Sequence, residues 1–418
     1  MDRGTGRLRA NRLRFSLPLL LVGCGGTTDI ITPPPPPPAG FTLTLVPDPE
    51  DVAAAQALGW QAGIPGLTVT MTPTDSSRPP RGFTSAAGGV VSIPDLLPGD
   101  YIVEASRWLT AAERTRLPAA DDANGFVART VVRSSGSGAE RVSVPASRQK
   151  GLVISEWAFN GYYVPGQALY QLGGFLELTN NADTTVYLDG LTLAAGFDLD
   201  IDVPISPCAA NLQFTQDPEG VWSRFLNRFP GTGRQYPLAP GGVTVIATDA
   251  IDHRALIPGG IDLSHANFEF SGPADVDNPS APNLIDIGLV SYSEGHGFYW
   301  QTSGSAVAIL ALPLAVGDLE RRHHAGSADY VRVPRAKVLD GLWVRTNYLA
   351  EYQECPRLVS TTIDRAGSNA RSTDEAAEWN YSLSRRRAPT GGTKLQHTRS
   401  GFVDFVRTAR NPGVVLNP

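Results

Sequence analysis

The sequence predicts an all-β protein in which two β-sandwich domains follow a disordered N-terminal tether. Short stretches such as Phe41–Leu45 and Leu67–Met71 alternate apolar and polar residues, and a period of two is typical of strands with one buried face. Gly (43) and Pro (34) are frequent among the 418 residues, so the chain turns often. Many turns and few long periodic stretches favour sandwiches over helical bundles.

The composition excludes global disorder and argues against nucleic-acid binding. Hydrophobic residues make up 42% of the chain and charged residues 18%, which is too apolar and too weakly charged for an unfolded polypeptide. The formal net charge is −6, and it falls to −10 without the first 23 residues, which hold five Arg and one Asp. An acidic body repels phosphate backbones, so we expect no nucleic-acid partner.

Residues 1–23 have the organisation of an export signal. Five Arg precede the apolar stretch Phe15–Val22, which is too short to span a hydrocarbon core of ~30 Å as a mature helix. The segment ends Leu-Val-Gly-Cys24, which resembles the lipobox of bacterial lipoproteins. The resemblance implies cleavage before Cys24 and a diacylglycerol on its thiol, and the Gly that follows implies the outer membrane. The alternative is a chance Cys near an ordinary signal peptide.

Residues 24–40 predict a spacer between the lipid and the folded body. Six consecutive prolines, Pro33–Pro38, form its centre. A proline run adopts stiff polyproline II at ~3.1 Å per residue, so this piece would hold the body ~20 Å from the lipid surface. A ligand for a proline-binding groove is the alternative interpretation.

Residues 41–148 predict the first sandwich. After a strand at Gly88–Ile93 the sequence reads Leu-Pro-Gly-Asp-Tyr, and a further strand follows. Pro98 fixes φ at a turn, Gly99 takes a backbone conformation that needs no Cβ, and Tyr101 packs back onto the core. This order resembles the transthyretin-like sandwich of carboxypeptidase-regulatory domains. An ordinary hairpin with a Pro-Gly turn is the alternative.

Residues 149–418 predict the second sandwich, with long insertions. Its first strands lie at Leu152–Glu156, Gly173–Asn181 and Thr185–Leu193. Their Ile-Ser-Glu, Glu-Leu-Thr-Asn and Leu-Asp-Gly-Leu motifs resemble the lamin-tail-like sandwich. The resemblance implies an immunoglobulin-like fold.

Segments farther along the chain resemble a domain of unknown function. They are Phe229–Gly233, Tyr236–Gly242, Val243–Ala247, Asp249–His253 and Ile261–Glu269. That domain occurs in Gram-negative surface lipoproteins, often behind a sandwich like the first one predicted here. The resemblance covers roughly residues 150–390, and it implies an architecture and a location but no activity.

Two of the three Cys residues lie outside the export signal. Cys208 and Cys355 would reach an oxidising compartment, where a pair is more often bridged than free. We therefore expect a disulfide between them. Two separately buried thiols are the alternative, because free Cys behaves as a small core residue.

A cluster of carboxylate and imidazole side chains is the first candidate for a metal site. Its core, an Asp-x-x-Asp-His sequence, follows a predicted strand at a sheet end, where loops often carry function. Such side chains bind divalent metals, but this spacing matches no established metal motif and such residues commonly cap turns. The proposed ligands are Asp249, Asp252 and His253, and the wider cluster adds His265 and Glu269.

Two further sets of carboxylates are candidates for chemistry. Glu156 and Glu177 lie on neighbouring predicted strands and can face each other, as general acid–base pairs do. The lamin-tail resemblance gives them no catalytic role, so a structural role is the alternative. Asp198, Asp200 and Asp202 alternate along one strand face, which suits either calcium or simple solvation.

Two short basic runs complete the candidates. They are Arg321–His324 and Arg385–Arg387. Basic side chains could meet anionic lipid headgroups or polysaccharide. We nevertheless expect both runs to lie in solvated loops.

The sequence as a whole favours a non-catalytic outer-membrane or surface lipoprotein that acts as a binding or display module. Its expected partners are the membrane, through the lipid, and either an outer-membrane receptor of an uptake system or a surface glycan. The alternative is an extracellular hydrolase with a metal or carboxylate site in residues 149–418. The sequence contains no Gly-x-Ser-x-Gly elbow, phosphate loop, dinucleotide fingerprint or Cys-x-x-Cys pair, so we expect no cofactor and no catalysis.

Replacing Cys24 tests the lipid anchor. Cys24→Ala removes the only thiol in the predicted lipobox, so the protein should leave the membrane fraction. Fractionation and intact mass of the mature N-terminus are the measurements. Unchanged fractionation of the variant, together with no lipid mass on the wild type, would exclude the anchor.

Overall fold

The computed structural model describes residues 40–119, 121–149, 151–159, 162, 164, 170, 172–195, 208–270, 272, 276–289, 305–324, 328–345, 358–369, 380–388 and 394–414. Strands predominate there and helices are short, which confirms the all-β prediction. Within these residues no helix has the length and apolar character needed to cross a membrane.

Several predicted features fall outside the described residues. They include the signal peptide, Cys24, nearly all of the tether, the Asp198–Asp202 stretch and Cys355, and the side chain of Cys208 is not described either. The lipid anchor, the spacer and the disulfide therefore stay predictions.

The N-terminal region, residues 40–148, consists mainly of strands. The strands are β1 (Phe41–Pro47), β2 (Thr68–Pro73), β3 (Arg81–Thr84), β4 (Val90–Ile93), β5 (Gly99–Trp108), β6 (Ala123–Ser134), β7 (Gly138–Val144) and β8 (Ala146–Arg148). The helices are α1 (Val52–Leu58) and α2 (Ala111–Arg114), with 3-10 turns at Pro49–Asp51 and Ala87–Gly89.

Two sheets of the N-terminal region enclose one core. Their strand orders are β4-β1-β7 and β3-β2-β5-β6-β8. Burial alternates along β1, so Leu43 and Leu45 point inward, and they join Val69 and Val103 of the second sheet in one hydrophobic cluster. Each buried aliphatic side chain contributes roughly 1.5–3 kcal/mol, so the period-two pattern is what brings the two sheets together.

The predicted Pro-Gly turn leads into β5. Gly99 has φ +149°, a backbone conformation that side chains with a Cβ rarely adopt. Tyr101 is buried in the core, and its hydroxyl donates to the Leu97 carbonyl at 2.8 Å. The turn and the packing of Tyr101 are as the sequence predicts, whereas the transthyretin-like assignment stays a prediction.

The C-terminal region, residues 149–418, contains mostly short strands. They are β9 (Leu152–Ala158), β10 (Phe175–Asn180), β11 (Val186–Tyr187), β12 (Thr192–Ala195), β13 (Gly220–Ser223), β14 (Leu226–Arg228), β15 (Pro237–Leu238), β16 (Val243–Ala247), β17 (Phe268–Phe270), β18 (Asn283–Asp286), β19 (Ser305–Ala311), β20 (Arg321–His324), β21 (Ala328–Pro334), β22 (Val338–Arg345), β23 (Ser368–Asn369), β24 (Ser382–Arg385) and β25 (Phe405–Thr408). Among the residues of this region that the structure describes, the helices are α3 (Cys208–Thr215) and α4 (Gly401–Asp404), with 3-10 turns at His253–Ala255, Val316–Asp318 and Arg335–Lys337.

A twelve-stranded mixed sheet organises the described part of this region. Its order is β23-β22-β19-β12-β14-β18-β17-β16-β10-β9-β24-β25. One hydrophobic cluster gathers side chains from most of these strands, among them Trp157, Leu178, Ile246, Phe268 and Leu342. Small sheets of order β11-β15 and β13-β21-β20 accompany it.

The large sheet curls until strands far apart in its order meet. β22 stands near one end of the order and β9 near the other. The backbone N–H of Ile154 on β9 nevertheless donates to Asp340 Oδ2 on β22 at 2.9 Å. Arg385 on β24 donates to the same oxygen at 2.6 Å. Hydrogen bonds to one buried carboxylate therefore close the curl.

Arg385 lies at the centre of this closure. Its guanidinium donates to Asp340 at 2.6 Å, to Asp404 at 3.1 Å and to two backbone carbonyls, while His397 Nε2 lies 3.3 Å from Asp340 Oδ1. We call these four residues the Arg385 cluster. Burial would raise the pKa of Asp340, but Arg385 and His397 hold it at about 2, so the carboxylate stays ionised. The prediction that Arg385 lies in a solvated loop is wrong.

Asp404 of the same cluster fixes the loop that precedes it. Its carboxylate accepts the backbone N–H and the hydroxyl of Thr398 at 2.8 and 2.9 Å, and the side-chain amide of Gln396 at 3.1 Å. Asp364 accepts the N–H of Gly401 at 2.9 Å. Residues 396–404, here called the 396–404 loop, are therefore held by buried carboxylates at both ends.

Arg385→Met should destabilise the protein by about 3–5 kcal/mol, because it leaves two buried carboxylates without their cation. Urea unfolding of the purified chain measures the change. The matched control is Arg133→Met, whose side chain is 84% exposed and pairs with Asp100 at the surface; this change should cost less than about 1 kcal/mol. Equal losses in the two variants would contradict the role of the cluster.

Candidate functional site

The predicted metal residues follow β16 as expected, but they do not converge. His253 is buried, and its Nε2 lies 2.9 Å from the Asp249 carbonyl, so it is the protonated nitrogen. Its Nδ1 accepts from the Tyr170 hydroxyl at 2.7 Å. Burial lowers the pKa of His253, which favours this neutral form. Both ring nitrogens are thus engaged in hydrogen bonds.

The carboxylates among the predicted metal residues lie in different environments. Asp252 is half exposed and is held by Arg254 at 2.7 Å. Glu269 is buried and accepts the N–H groups of Ala250 and Asn278 at 3.0 and 2.9 Å. His265 faces solvent. Within the described residues, no three His, Cys, Asp or Glu side chains are placed to hold a metal ion.

Glu156 and Glu177 stand directly opposite each other on β9 and β10, as the sequence predicts. Both are buried. Glu156 accepts from the Ser382 hydroxyl at 2.5 Å, and Glu177 accepts from the Ser155 hydroxyl at 2.6 Å. Burial raises the pKa of Glu156 to about 7, the Glu177 charge adds to the rise, and burial also raises the pKa of Glu177.

A C-terminal segment covers this acidic pair. The N–H of Asn411 donates to Glu156 at 3.1 Å, and the N–H of Gly413 donates to Glu177 at 2.8 Å. Arg410 anchors the segment, because its guanidinium is buried, donates to the Gly173 carbonyl at 3.0 Å and stacks 4.0 Å over Tyr162. The pair is thus enclosed by residues 410–413.

A groove lies where the N-terminal and C-terminal regions meet. One wall consists of Ala128–Val132 of β6 and Glu140–Ser143 of β7, and the other is formed by Arg365, Ser400 and Val403. The volume is about 270 Å³. We call it the junction groove, because neither region forms it alone.

Ion pairs between the two regions hold the walls of the junction groove together. Arg365 pairs with Asp48 at 2.8 Å and with Glu50 at 2.9 Å. Arg399 also pairs with Glu50. Ion pairing with both arginines lowers the pKa of Glu50, although burial opposes the shift. Arg399 has φ +56°, a conformation that costs a residue with a Cβ roughly 1 kcal/mol or more.

A buried hydroxyl stands in the wall of this groove. Ser400 is 3% exposed, and its Oγ has no hydrogen-bond partner among the described residues. Buried hydroxyls are almost always hydrogen-bonded in native proteins, because leaving one unpaired costs about 1–3 kcal/mol. Because Ser400 lines the groove, its unpaired hydroxyl is a candidate contact for a polar ligand.

A second, smaller pocket shares Arg129 with the junction groove. Arg129, Ser368, Arg386, Phe402 and Arg407 line it, and its volume is about 190 Å³. We call it the arginine pocket. Its walls come from β6, β25 and the 396–404 loop, which the Arg385 cluster positions.

The sequence contained one signal for this location, namely the basic run Arg385–Arg387. The run was expected to be solvated, yet its first member is buried and its second, Arg386, lines the arginine pocket. The contribution of Arg129 and Ser400 was missed, since they lie about 270 residues apart in the chain and no local pattern connects them.

Comparison with known proteins finds one family match, which lies in the C-terminal region. Residues 239–411 match a family described as "Protein of unknown function (DUF4876)". The C-terminal region is thus similar to this family over that span, in agreement with the predicted resemblance to a domain of unknown function. No curated protein matches the chain.

The fold is shared with a solved structure from a Bacteroides species. A DUF4876 family protein from Bacteroides thetaiotaomicron is 19% identical with a TM-score of 0.50, and the match covers 91% of this chain and 96% of that one. A protein described as a candidate carbohydrate binding protein, from Bacteroides uniformis, is 11% identical with a TM-score of 0.17 over 50% of this chain and 99% of its own. The first match shows the fold, and the second is too distant to add to it.

Glu156→Gln should remove a pH dependence of stability. The pKa of about 7 in the folded chain exceeds the ordinary 4.5, so the folded chain binds the proton more tightly than the unfolded chain does. That stabilisation is complete below pH 4.5 and is lost as the pH rises through 7. The difference in unfolding free energy, wild type minus variant, should therefore fall by about 3 kcal/mol as the pH rises from 4.5 to 8.

Urea unfolding at several pH values measures this difference. The control is Glu219→Gln, because Glu219 is exposed and the variant keeps Glu156. It should follow the wild-type pH profile. Parallel profiles for wild type and Glu156→Gln would show that burial of Glu156 has no such effect.

Proposed function

We propose that the chain is a non-catalytic surface lipoprotein whose folded body binds a ligand in the junction groove. The lipid on Cys24 and the proline spacer would hold that body at the outer membrane. The observation that carries the proposal is the unpaired Ser400 hydroxyl in the wall of a groove formed by two regions of the chain.

The lining of the junction groove suits an extended glycan. Thr130, Glu140 and Ser143 supply hydroxyl and carboxylate groups, and Val131 and Val142 supply aliphatic surface. Sugar rings present hydroxyls along their edges and C–H groups on their faces, so both kinds of lining have partners. Binding sites generally combine apolar walls with a few placed polar groups.

A hydrolase that uses the Glu156–Glu177 pair is the second candidate. A carboxyl group with a pKa of about 7 is suited to general acid catalysis near neutral pH. Residues 410–413 cover the pair, however, and the backbone N–H groups of that segment occupy its oxygens. Hydrolysis of a bound glycan that is lost in Glu156→Gln, while binding persists, would favour this second function.

A substitution that fills the groove tests the proposed function. Val131 is 56% exposed and lies in the groove wall, so Val131→Trp should block the groove without disturbing the core. Binding of the purified chain to an array of surface glycans, followed by calorimetry on each hit, should show at least a tenfold loss of affinity.

Val276→Trp is the matched control, because Val276 is similarly exposed, at 63% against 56% for Val131, and lies outside the groove. It should bind as the wild type does. A wild-type hit that both variants retain, or an array on which the wild type binds no glycan at all, would overturn the proposal.

A further inference from the structure

We propose that the arginine pocket is an oxyanion site, which holds a carboxylate or sulfate group of a glycan whose chain lies in the junction groove. The inference rests on the proposed function and adds the chemical class of the ligand. It starts from Arg129, whose side chain lines both the groove and the pocket. The two cavities are therefore adjacent at Arg129, within reach of one extended ligand.

Three of the described residues that line the pocket are arginines, and none of them is acidic. Arg129 and Arg386 both face one carboxylate, Glu104, whose Oε1 lies 3.1 Å from Arg129 Nε and 4.0 Å from Arg386 Nη2. Glu104 is half exposed. Burial lowers the pKa of Arg129, Glu104 opposes this shift, and the charge of Arg386 lowers the pKa further. A second anion between these guanidinium groups would relieve that repulsion.

The guanidinium of Arg129 and the backbone of Arg386 are held in place before any ligand arrives. Arg129 stacks 4.3 Å over the ring of Phe402 and donates to the Phe402 carbonyl at 3.3 Å. The backbone of Arg386 donates to the Asp404 carbonyl at 2.7 Å and accepts from Gln396 at 2.8 Å. Side chains that are already ordered lose less entropy on binding, which favours affinity.

The residue type selects the ligand chemistry. A planar guanidinium donates two parallel hydrogen bonds to the oxygens of a carboxylate or a sulfate. Arg407 adds a third guanidinium in the pocket wall, where it stacks 3.9 Å over Tyr381. A neutral sugar has no group that takes up this arrangement of charge. Uronic acids and sulfated sugars have one, and the experiment below separates them.

Calorimetry on the purified wild-type chain tests the inference by comparing the affinities of three oligosaccharides. These are an oligogalacturonate, its methyl ester and a sulfated galactose oligosaccharide. The oligogalacturonate or the sulfated probe should bind at least tenfold more tightly than the ester, and the preferred one identifies the source of the oxyanion. The preference should weaken as salt is raised.

Two substitutions at one position locate the effect. Arg386→Gln should reduce binding of the preferred acidic probe about tenfold and leave binding of the ester unchanged. Arg386→Lys keeps the positive charge but loses the paired N–H donors of the guanidinium. Its affinity for the acidic probe should therefore lie between those of the wild type and Arg386→Gln. The matched control, Arg234→Gln, alters an arginine that stacks on Tyr187 away from the pocket, and it should bind like the wild type.

The outcomes separate this inference from the function it rests on. If acidic and neutral glycans bind equally and Val131→Trp abolishes both, the groove is the site but the pocket selects no oxyanion. If acidic probes are preferred but Arg386→Gln leaves the preference intact, the oxyanion site lies elsewhere. If neutral glycans bind and no acidic probe does, the oxyanion site is excluded; if no glycan binds, both proposals fail.

Discussion

The buried Arg385 guanidinium is the constraint on which the C-terminal region depends. The twelve-stranded sheet curls until β9 and β24 contact β22. There the Arg385 guanidinium on β24 and the Ile154 amide on β9 both donate to the Asp340 carboxylate on β22. A buried charge is stable only where opposite charges and hydrogen bonds compensate for its lost hydration. Arg385 therefore permits few other arrangements of these three strands.

The same guanidinium indirectly shapes the candidate site. It also binds Asp404, whose carboxylate orders the 396–404 loop. That loop carries Ser400 to the junction groove and Phe402 to the arginine pocket. The ion pairs of Arg365 then bring the N-terminal region against it. The groove is thus a consequence of how the curled sheet closes, and a ligand bound there would contact both regions.

Local patterns predicted much of the fold, because they report on local physics. Alternation placed β1 and β2, the Pro-Gly turn placed β5, and the register of Glu156 against Glu177 followed from two adjacent strands. The candidate site was not predictable in this way, since it depends on tertiary partners. Arg385 is polar in sequence and buried in the fold, and only the positions of Asp340 and Asp404 explain this.

Hydrogen–deuterium exchange on the wild-type chain, with and without a bound glycan, tests the central claim that the ligand site is built jointly by the two regions. One ligand should slow exchange in β6 and β7 and in the 396–404 loop together. Protection of these elements should appear at the same ligand concentration, because they form one site. Protection confined to one region, or placed around the Glu156–Glu177 pair instead, would contradict the account.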